Sequence, residues 1–232
     1  MGWQFIPWNL QYLFGGIIAI LVTYIVFRKN PKSMAYRSFL AFGIFTCIWM
    51  FSVYLARNAP SEPVSREMYR IVTTAFNLTQ PLLLLTLVNI FSGKRIYLLT
   101  LIPAIISGFT ISSMGLYNVF STDYGWSYSI SSSVSNLALV ITLAYFLAIV
   151  VVGCYLIKKA PLPFLKRKYK IILLASIIYF IPLTILNVVM WGMSKVPQFG
   201  GILLTMEFLI IAYAMILPRG KIESQRDVVK PS

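Results

Sequence analysis

Seven runs of mostly apolar residues follow one another along this chain, and they limit its fold more than any other feature. They cover residues 9–27, 38–55, 71–91, 96–116, 133–157, 171–190 and 200–217. A helix of about 20 apolar residues spans the hydrocarbon of a bilayer, and in lipid only the helix itself can satisfy the backbone polar groups. The runs therefore predict an all-α fold, a polytopic membrane protein built as a seven-transmembrane-helix bundle.

The composition argues against a soluble protein and against a nucleic-acid partner. Hydrophobic residues make up 59% of the chain and charged residues 11%, against about 25% charged in an average soluble domain. A net charge of +14 is typical of many nucleic-acid-binding proteins. Here, however, the basic residues stand in short clusters between the apolar runs, where they orient a chain in the bilayer. We therefore expect the lipid bilayer as a partner and no nucleic acid.

The positions of lysine and arginine predict the orientation. If the N-terminus lies outside, 16 of the 20 basic residues fall in cytoplasmic segments, and the four outside are Arg57, Arg66, Arg70 and Lys195. Because cytoplasmic loops carry the excess of positive charge, we predict a multi-pass protein of the plasma membrane with its N-terminus outside and its C-terminus cytoplasmic. The seven-helix domain would comprise residues 1–218, and a short basic tail would follow at residues 219–232.

The residues that usually carry enzymatic or cofactor chemistry are scarce. The chain contains no histidine, and Cys47 and Cys154 stand singly in apolar runs without the spacing of metal ligands. No phosphate-binding loop and no nucleophile with a neighbouring base is present. We expect neither a metal nor another cofactor, and we expect that the protein is not an enzyme.

Polar residues inside the apolar runs indicate a candidate ligand-binding site. Glu207 is the acidic residue within the seventh run, and an ionisable group in the membrane usually has a functional reason. Asn77, Gln80, Asn187 and Tyr145 lie at comparable depths in the outer half of other runs. Together they predict a pocket that opens outward. The alternative is that they link helices by hydrogen bonds worth about 0.6 kcal/mol each, and that Glu207 is a packed structural residue.

Two charged segments are expected to be loops. Residues 57–70 mix both signs, and solvated charges are the expected interpretation beside an anion-binding alternative. Residues 158–170 are strongly basic and would face anionic headgroups or dock a partner. Gly15, Gly16 and Gly108 mark places where helices can approach closely.

Several motifs resemble the N-terminal seven-helix sensor region of microbial histidine kinases. They are the second run, FLAFGIFTCIWMFSVYLA with Trp49 near its middle, the prolines Pro81 and Pro103, and the closing Ala-Tyr-Ala-Met-Ile-Leu of the last run. The resemblance implies a sensor bundle. Only about fifteen residues follow the seventh run, so kinase domains are not expected in this chain, and signalling would pass through a separate polypeptide.

Three functions agree with these observations. The first is a sensor or receptor-like module that binds a ligand in its outer half and acts on another membrane or cytoplasmic protein. The second is a non-catalytic structural or assembly subunit of a larger membrane complex. The third is a small-solute transporter, which is weaker because no broken helices stand in paired positions.

Overall fold

The computed structural model describes residues 2–91, 95–114, 117–130, 132–190 and 199–217, and side chains for most of them. Apolar runs form α-helices within these ranges, and the helices are α1 (Leu10–Lys29), α2 (Met34–Arg57), α3 (Glu62–Phe91), α4 (Ile102–Met114), α5 (Ser132–Lys159), α6 (Pro163–Met190) and α7 (Gly200–Ile216). Two antiparallel strands, β1 (Tyr117–Thr122) and β2 (Gly125–Ile130), stand between α4 and α5. Short 3-10 helices cover Pro7–Asn9 and Arg95–Leu101.

Six of the helices pack in a closed ring. Helix α1 contacts α2 and α7, α2 contacts α3, α3 contacts α5, and α6 lies between α5 and α7. Helix α4 packs outside this ring, against α3 and α5. Phe208 of α7 reaches toward α2, where its ring lies 5.2 Å from that of Phe39 and 5.5 Å from that of Phe42. These rings form part of an apolar core that continues through α3, α5 and α6.

The helices have the length and surface of membrane helices. Among the described residues, four stretches are long and apolar enough to cross a bilayer: Pro7–Lys29, Met34–Arg57, Glu62–Phe91 and Leu139–Lys159. Two shorter apolar helical stretches cover Leu98–Thr110 and Gly200–Ile216. Helix α1 exposes large apolar side chains such as Phe14, Leu21 and Tyr24, each more than half accessible. Water would penalise this surface and lipid does not, so the chain is an α-helical membrane protein.

Segments that the sequence assigns to one side of the membrane meet at one end of the bundle. At the end we call the hairpin end, Gln4 donates its backbone N–H to the Asn58 carbonyl, and Trp126 of β2 donates its indole N–H to the Ala59 carbonyl. At the opposite end, which we call the basic end, the Tyr36 hydroxyl and the Lys168 ammonium both donate to the Met215 carbonyl. The expected outer and cytoplasmic segments therefore lie at opposite ends.

Three expectations for the connecting segments are wrong. The all-α prediction missed the hairpin, in which Tyr117 pairs with Ile130 and Thr122 with Gly125. The charged segment 57–70 is largely helical, because α3 begins at Glu62 and its ion pairs are spaced three or four residues apart, as helical pairs are. Much of the basic segment 158–170 is also helical, because α5 extends to Lys159 and α6 begins at Pro163, where proline suits a first turn.

The fourth apolar run is shorter as an α-helix than expected. It begins as the 3-10 helix and continues as α4 for 13 residues, which is about 20 Å at 1.5 Å per residue. The predicted turn at residues 92–94 and the tail at 219–232 lie outside the described residues.

Small residues let α1 approach its neighbours closely. A Cβ atom built on Gly15 would lie 2.5 Å from Thr205 Oγ1 of α7 and 2.8 Å from the Met50 sulfur of α2. A Cβ atom on Gly43 of α2 would overlap the Thr23 side chain of α1. The expected close approach at Gly15 is therefore confirmed. At Gly108, in contrast, a built Cβ atom would make ordinary contacts, the nearest to a Thr74 side-chain carbon at 3.7 Å.

We expect Gly43→Ala to lower the free energy of unfolding by about 1–3 kcal/mol, because its methyl group overpacks the contact with Thr23. Gly108→Ala is the matched control and should be neutral or slightly stabilising, since the same helix-propensity gain comes with only ordinary van der Waals contacts. Unfolding in detergent, followed by circular dichroism, measures both variants. Equal effects would show that α1 and α2 can separate at no cost.

Candidate functional site

Glu207 lies deep in the bundle on the side of α7 that faces α6. Glu207 is 3% exposed, and neither of its carboxyl oxygens has a hydrogen-bond partner among the described residues. Ser176 of α6 lies within hydrogen-bonding range of the carboxyl group. The Ser176 hydroxyl, however, donates its single proton to the Ile172 carbonyl at 3.0 Å. Because this proton is directed to Ile172, Ser176 leaves both carboxyl oxygens without a hydrogen-bond donor among the described residues.

Beside Glu207, the Tyr179 hydroxyl is a second buried polar group that lacks a hydrogen-bond partner among the described residues. Tyr179 is 2% exposed, and it lies within electrostatic range of Glu207 and Tyr12. Tyr179 and Ser176 stand three residues apart on α6, so they share one face of that helix. Burying a polar group without a hydrogen bond costs about 1–3 kcal/mol.

Arg57, at the end of α2, is buried where the sequence suggested a solvated charge. It is 3% exposed, and no carboxylate pairs with it among the described residues. Its Nη1 donates to the Tyr124 carbonyl at 3.2 Å and to Asn9 Oδ1 at 3.5 Å. Its guanidinium carbon lies 5.9 Å from the centre of the Tyr12 ring, within range for a cation–π contact. Arg57 thus joins the hairpin, the N-terminal segment and α1.

These residues form a buried polar cluster that we define as Arg57, Tyr12, Tyr179, Ser176 and Glu207. Tyr12 lies in the middle, because it interacts with Arg57 on one side and with Tyr179 on the other. Its position depends on Gly201, where a Cβ atom would lie 2.9 Å from the Tyr12 ring. The cluster extends from the hairpin end down to Glu207.

Asn77 and Gln80 are buried on α3, as predicted, but they have other neighbours. Asn77 donates its side-chain N–H to the Thr73 carbonyl one turn earlier, at 2.8 Å. Helix α3 packs against α2, α4 and α5, whereas α7 packs mainly against α1 and α6. No described contact joins Asn77 or Gln80 to Glu207, and a pocket shared by all three stays a prediction.

The other two predicted site residues also lie apart from the cluster in what is described. The Tyr145 hydroxyl donates to the Thr100 carbonyl at 2.6 Å, so it ties α5 to the 3-10 helix before α4. Asn187 lies outside the described side chains, so its part in the site stays a prediction.

The sequence contains a signal for the tertiary contacts of Arg57. Arg66 and Arg70 each have an acidic partner on the same helix, Glu62 and Glu67 respectively. Arg57 has no acidic residue three or four positions away in either direction. A charge at a helix end without a local partner depends on tertiary contacts.

The described part of the chain contains no group of three or more His, Cys, Asp or Glu side chains that could hold a metal ion. The cluster chemistry is that of hydrogen bonding, with acceptor oxygens on Glu207 and a phenol on Tyr179 that donates or accepts. A bound group with N–H donors would satisfy both.

Comparisons with known proteins add little to this description. No protein-family model matches the chain, and no curated protein matches it. A crystal structure of squid rhodopsin is similar, with 13% sequence identity and a TM-score of 0.41 over 90% of this chain and 78% of the rhodopsin chain. Such a score indicates only a distant likeness. The class of protein is therefore defined by the helices themselves, as a multi-pass α-helical membrane protein.

We expect Arg57→Gln to lower the free energy of unfolding by about 1.5–3 kcal/mol, because the hydrogen bonds of the charged group to Asn9 and Tyr124 are lost. Backbone amides of residues 117–130 should also exchange faster with solvent. Arg66→Gln is the matched control and should change stability by less than about 1 kcal/mol, since its ion pair is solvent-exposed. Similar effects of the two variants would mean that Arg57 does not hold the hairpin.

Proposed function

We propose that the chain is a seven-span, receptor-like module of the plasma membrane that binds a small ligand beside Glu207. The hairpin end faces outside and the basic end faces the cytoplasm, where the module acts on a separate membrane or cytoplasmic protein. The proposal rests on one observation above all. Glu207 is 3% exposed, and both its carboxyl oxygens lack a partner among the described residues, beside a Tyr179 hydroxyl that also lacks one.

Buried polar atoms without hydrogen bonds lower the stability of the bundle and add nothing to its packing. Each costs about 1–3 kcal/mol, and an apolar residue at position 207 would avoid the penalty. Such a cost is expected at sites where a ligand supplies the missing partner. Within the cluster, Glu207 and Tyr179 supply acceptor oxygens, and Tyr12 adds an aromatic ring near Tyr179. The ligand should therefore be a small molecule with an ammonium group or with several N–H donors.

Helix α7 offers a route from the site to the basic end. Met215 lies two turns beyond Glu207, which is about 12 Å at 1.5 Å per residue. The Met215 carbonyl accepts hydrogen bonds from Tyr36 of α2 at 3.1 Å and from Lys168 of α6 at 2.9 Å. A shift of α7 by 1–2 Å, as in many switching proteins, would break these hydrogen bonds and let others form. The resemblance to histidine-kinase sensor regions supports the same direction of signalling.

Basic side chains at the end of this route suit an acidic partner surface. Lys166, Arg167 and Lys170 of α6 are exposed next to the Lys168 contact. They also suit anionic headgroups. A partner that docks there would detect the position of α7 directly.

Ligand binding is tested with the purified protein in lipid nanodiscs and a panel of small primary and quaternary amines. At least one amine should raise the unfolding temperature of the wild type. Glu207→Leu should raise the unfolding temperature without ligand, because it removes the unsatisfied carboxyl group, and it should abolish the shift caused by the amine. Met206→Leu, at an exposed position of the same helix, is the control and should keep that shift.

Two outcomes would contradict the proposal. If Glu207→Leu lowers stability and no amine affects the wild type, the carboxyl group has a structural role. Mass spectrometry of the gently purified protein adds an independent arm, because stoichiometric recovery with other membrane subunits and no ligand response would favour an assembly subunit.

A further inference from the structure

A groove on the outer surface of the bundle has the features of a specific lipid site, and it lies away from the Glu207 cluster. It has a volume of about 450 Å³ and lies between α2 and α3. Its walls are mostly apolar, with Phe45 and Ile48 from α2 and Ile71 and Ala75 from α3, and Thr74 also lines them. One end is polar and carries Glu67 and Arg70.

The polar end of the groove lies at the depth expected for headgroups. Helix α3 has 30 residues, so it is about 45 Å long, whereas the hydrocarbon core of a bilayer is about 30 Å thick. All the charged residues of α3 stand in its first part, and Arg70 is the last of them before the apolar run that starts at Ile71. The apolar walls therefore face acyl chains, and Arg70 and Glu67 face the interface.

The two charges are available to an incoming headgroup. Arg70 Nη1 lies 2.9 Å from Glu67 Oε1, and the side chains are 38% and 58% exposed. An exposed ion pair of this kind contributes about 0–1 kcal/mol, so rearranging it around a ligand costs little. Arg70 Nε is itself buried and has no hydrogen-bond partner among the described residues, and a rearrangement of the exposed ion pair would present this donor to an anionic oxygen.

The order of the two charges along α3 discriminates between lipids. Arg70 lies next to the apolar walls, and Glu67 lies one turn nearer the hairpin end, about 4.5 Å further along the helix. In a phospholipid with an amine headgroup, the phosphate follows the acyl chains and the ammonium group lies beyond the phosphate. This order places phosphate at Arg70 and ammonium at Glu67. An anionic headgroup such as that of phosphatidylglycerol has no ammonium group beyond its phosphate and so leaves Glu67 without a cationic partner.

We propose that the groove between α2 and α3 binds a phospholipid with a primary-amine headgroup. The phosphate accepts hydrogen bonds from Arg70, including its Nε, and the ammonium group donates to the Glu67 carboxylate. One acyl chain lies along Phe45, Ile48, Ile71 and Ala75. A quaternary ammonium headgroup carries the same charge but cannot donate hydrogen bonds to Glu67, so it binds less well.

Native mass spectrometry of the detergent-solubilised protein tests this site. The protein is incubated with equal amounts of phosphatidylethanolamine, phosphatidylcholine and phosphatidylglycerol that carry the same acyl chains. We expect the wild type to retain phosphatidylethanolamine about tenfold more than either competitor, which corresponds to 1.4 kcal/mol. Equal retention of the three lipids would overturn the proposal, and preference for phosphatidylglycerol would show a simple anion site.

Variants separate the two charges and control for general effects. Arg70→Gln should lose retention of phosphatidylethanolamine, and Glu67→Gln should lose the preference over phosphatidylglycerol while still retaining phospholipid. Arg66→Gln is the matched control, because Arg66 does not line the groove, and it should behave as the wild type. If Arg70→Gln does not fold, Arg70→Lys serves instead. It should still bind phosphatidylethanolamine, with a smaller preference over the two competing lipids. Unchanged lipid retention in both Arg70 variants would also overturn the proposal.

Discussion

The close approach of α1 to α2 and α7 determines much of the remaining architecture. Gly15 of α1 and Gly43 of α2 lie where these two helices meet, and Gly201 of α7 lies against α1. No side chain at these positions holds the helices apart. In lipid, tight van der Waals packing is a main source of helix association. Because α1 sits this close to α7, Tyr12 lies between Arg57 at the end of α2 and Tyr179 on α6. A polar cluster can therefore reach the interior without widening the bundle.

Part of this structure could be predicted from the sequence, and the division has a physical basis. The length and hydropathy of each run predicted the helices, because lipid leaves the backbone few alternatives. Position along a helix also indicated depth, and so Glu207, Asn77 and Gln80 were predicted at similar levels. Depth, however, does not determine which helices are neighbours. That depends on close contacts such as Gly15 with Thr205, which no periodicity in the sequence reveals.

The hairpin and the polar extension of α3 were missed for a related reason. Short polar segments between long apolar runs resemble connections, although residues 125–129 alternate small and aromatic side chains as a strand does. Gly125 adopts a φ of +94° and lies against the Arg57 carbonyl, where a Cβ atom would clash. The hairpin therefore depends on an interaction distant in sequence. The extension of α3 matters because it brings Glu67 and Arg70 to the groove.

The docking of the hairpin onto Arg57 has a consequence for kinetics. Together with the N-terminal segment, the hairpin covers Arg57 and Tyr12, which are almost inaccessible. In the proposed receptor-like module, a ligand that approaches the cluster past the hairpin would associate at a rate limited by hairpin opening rather than by diffusion. The same closure would also slow dissociation of the ligand. A receptor-like module of the proposed kind would then respond to average ligand levels over time and would filter out brief fluctuations.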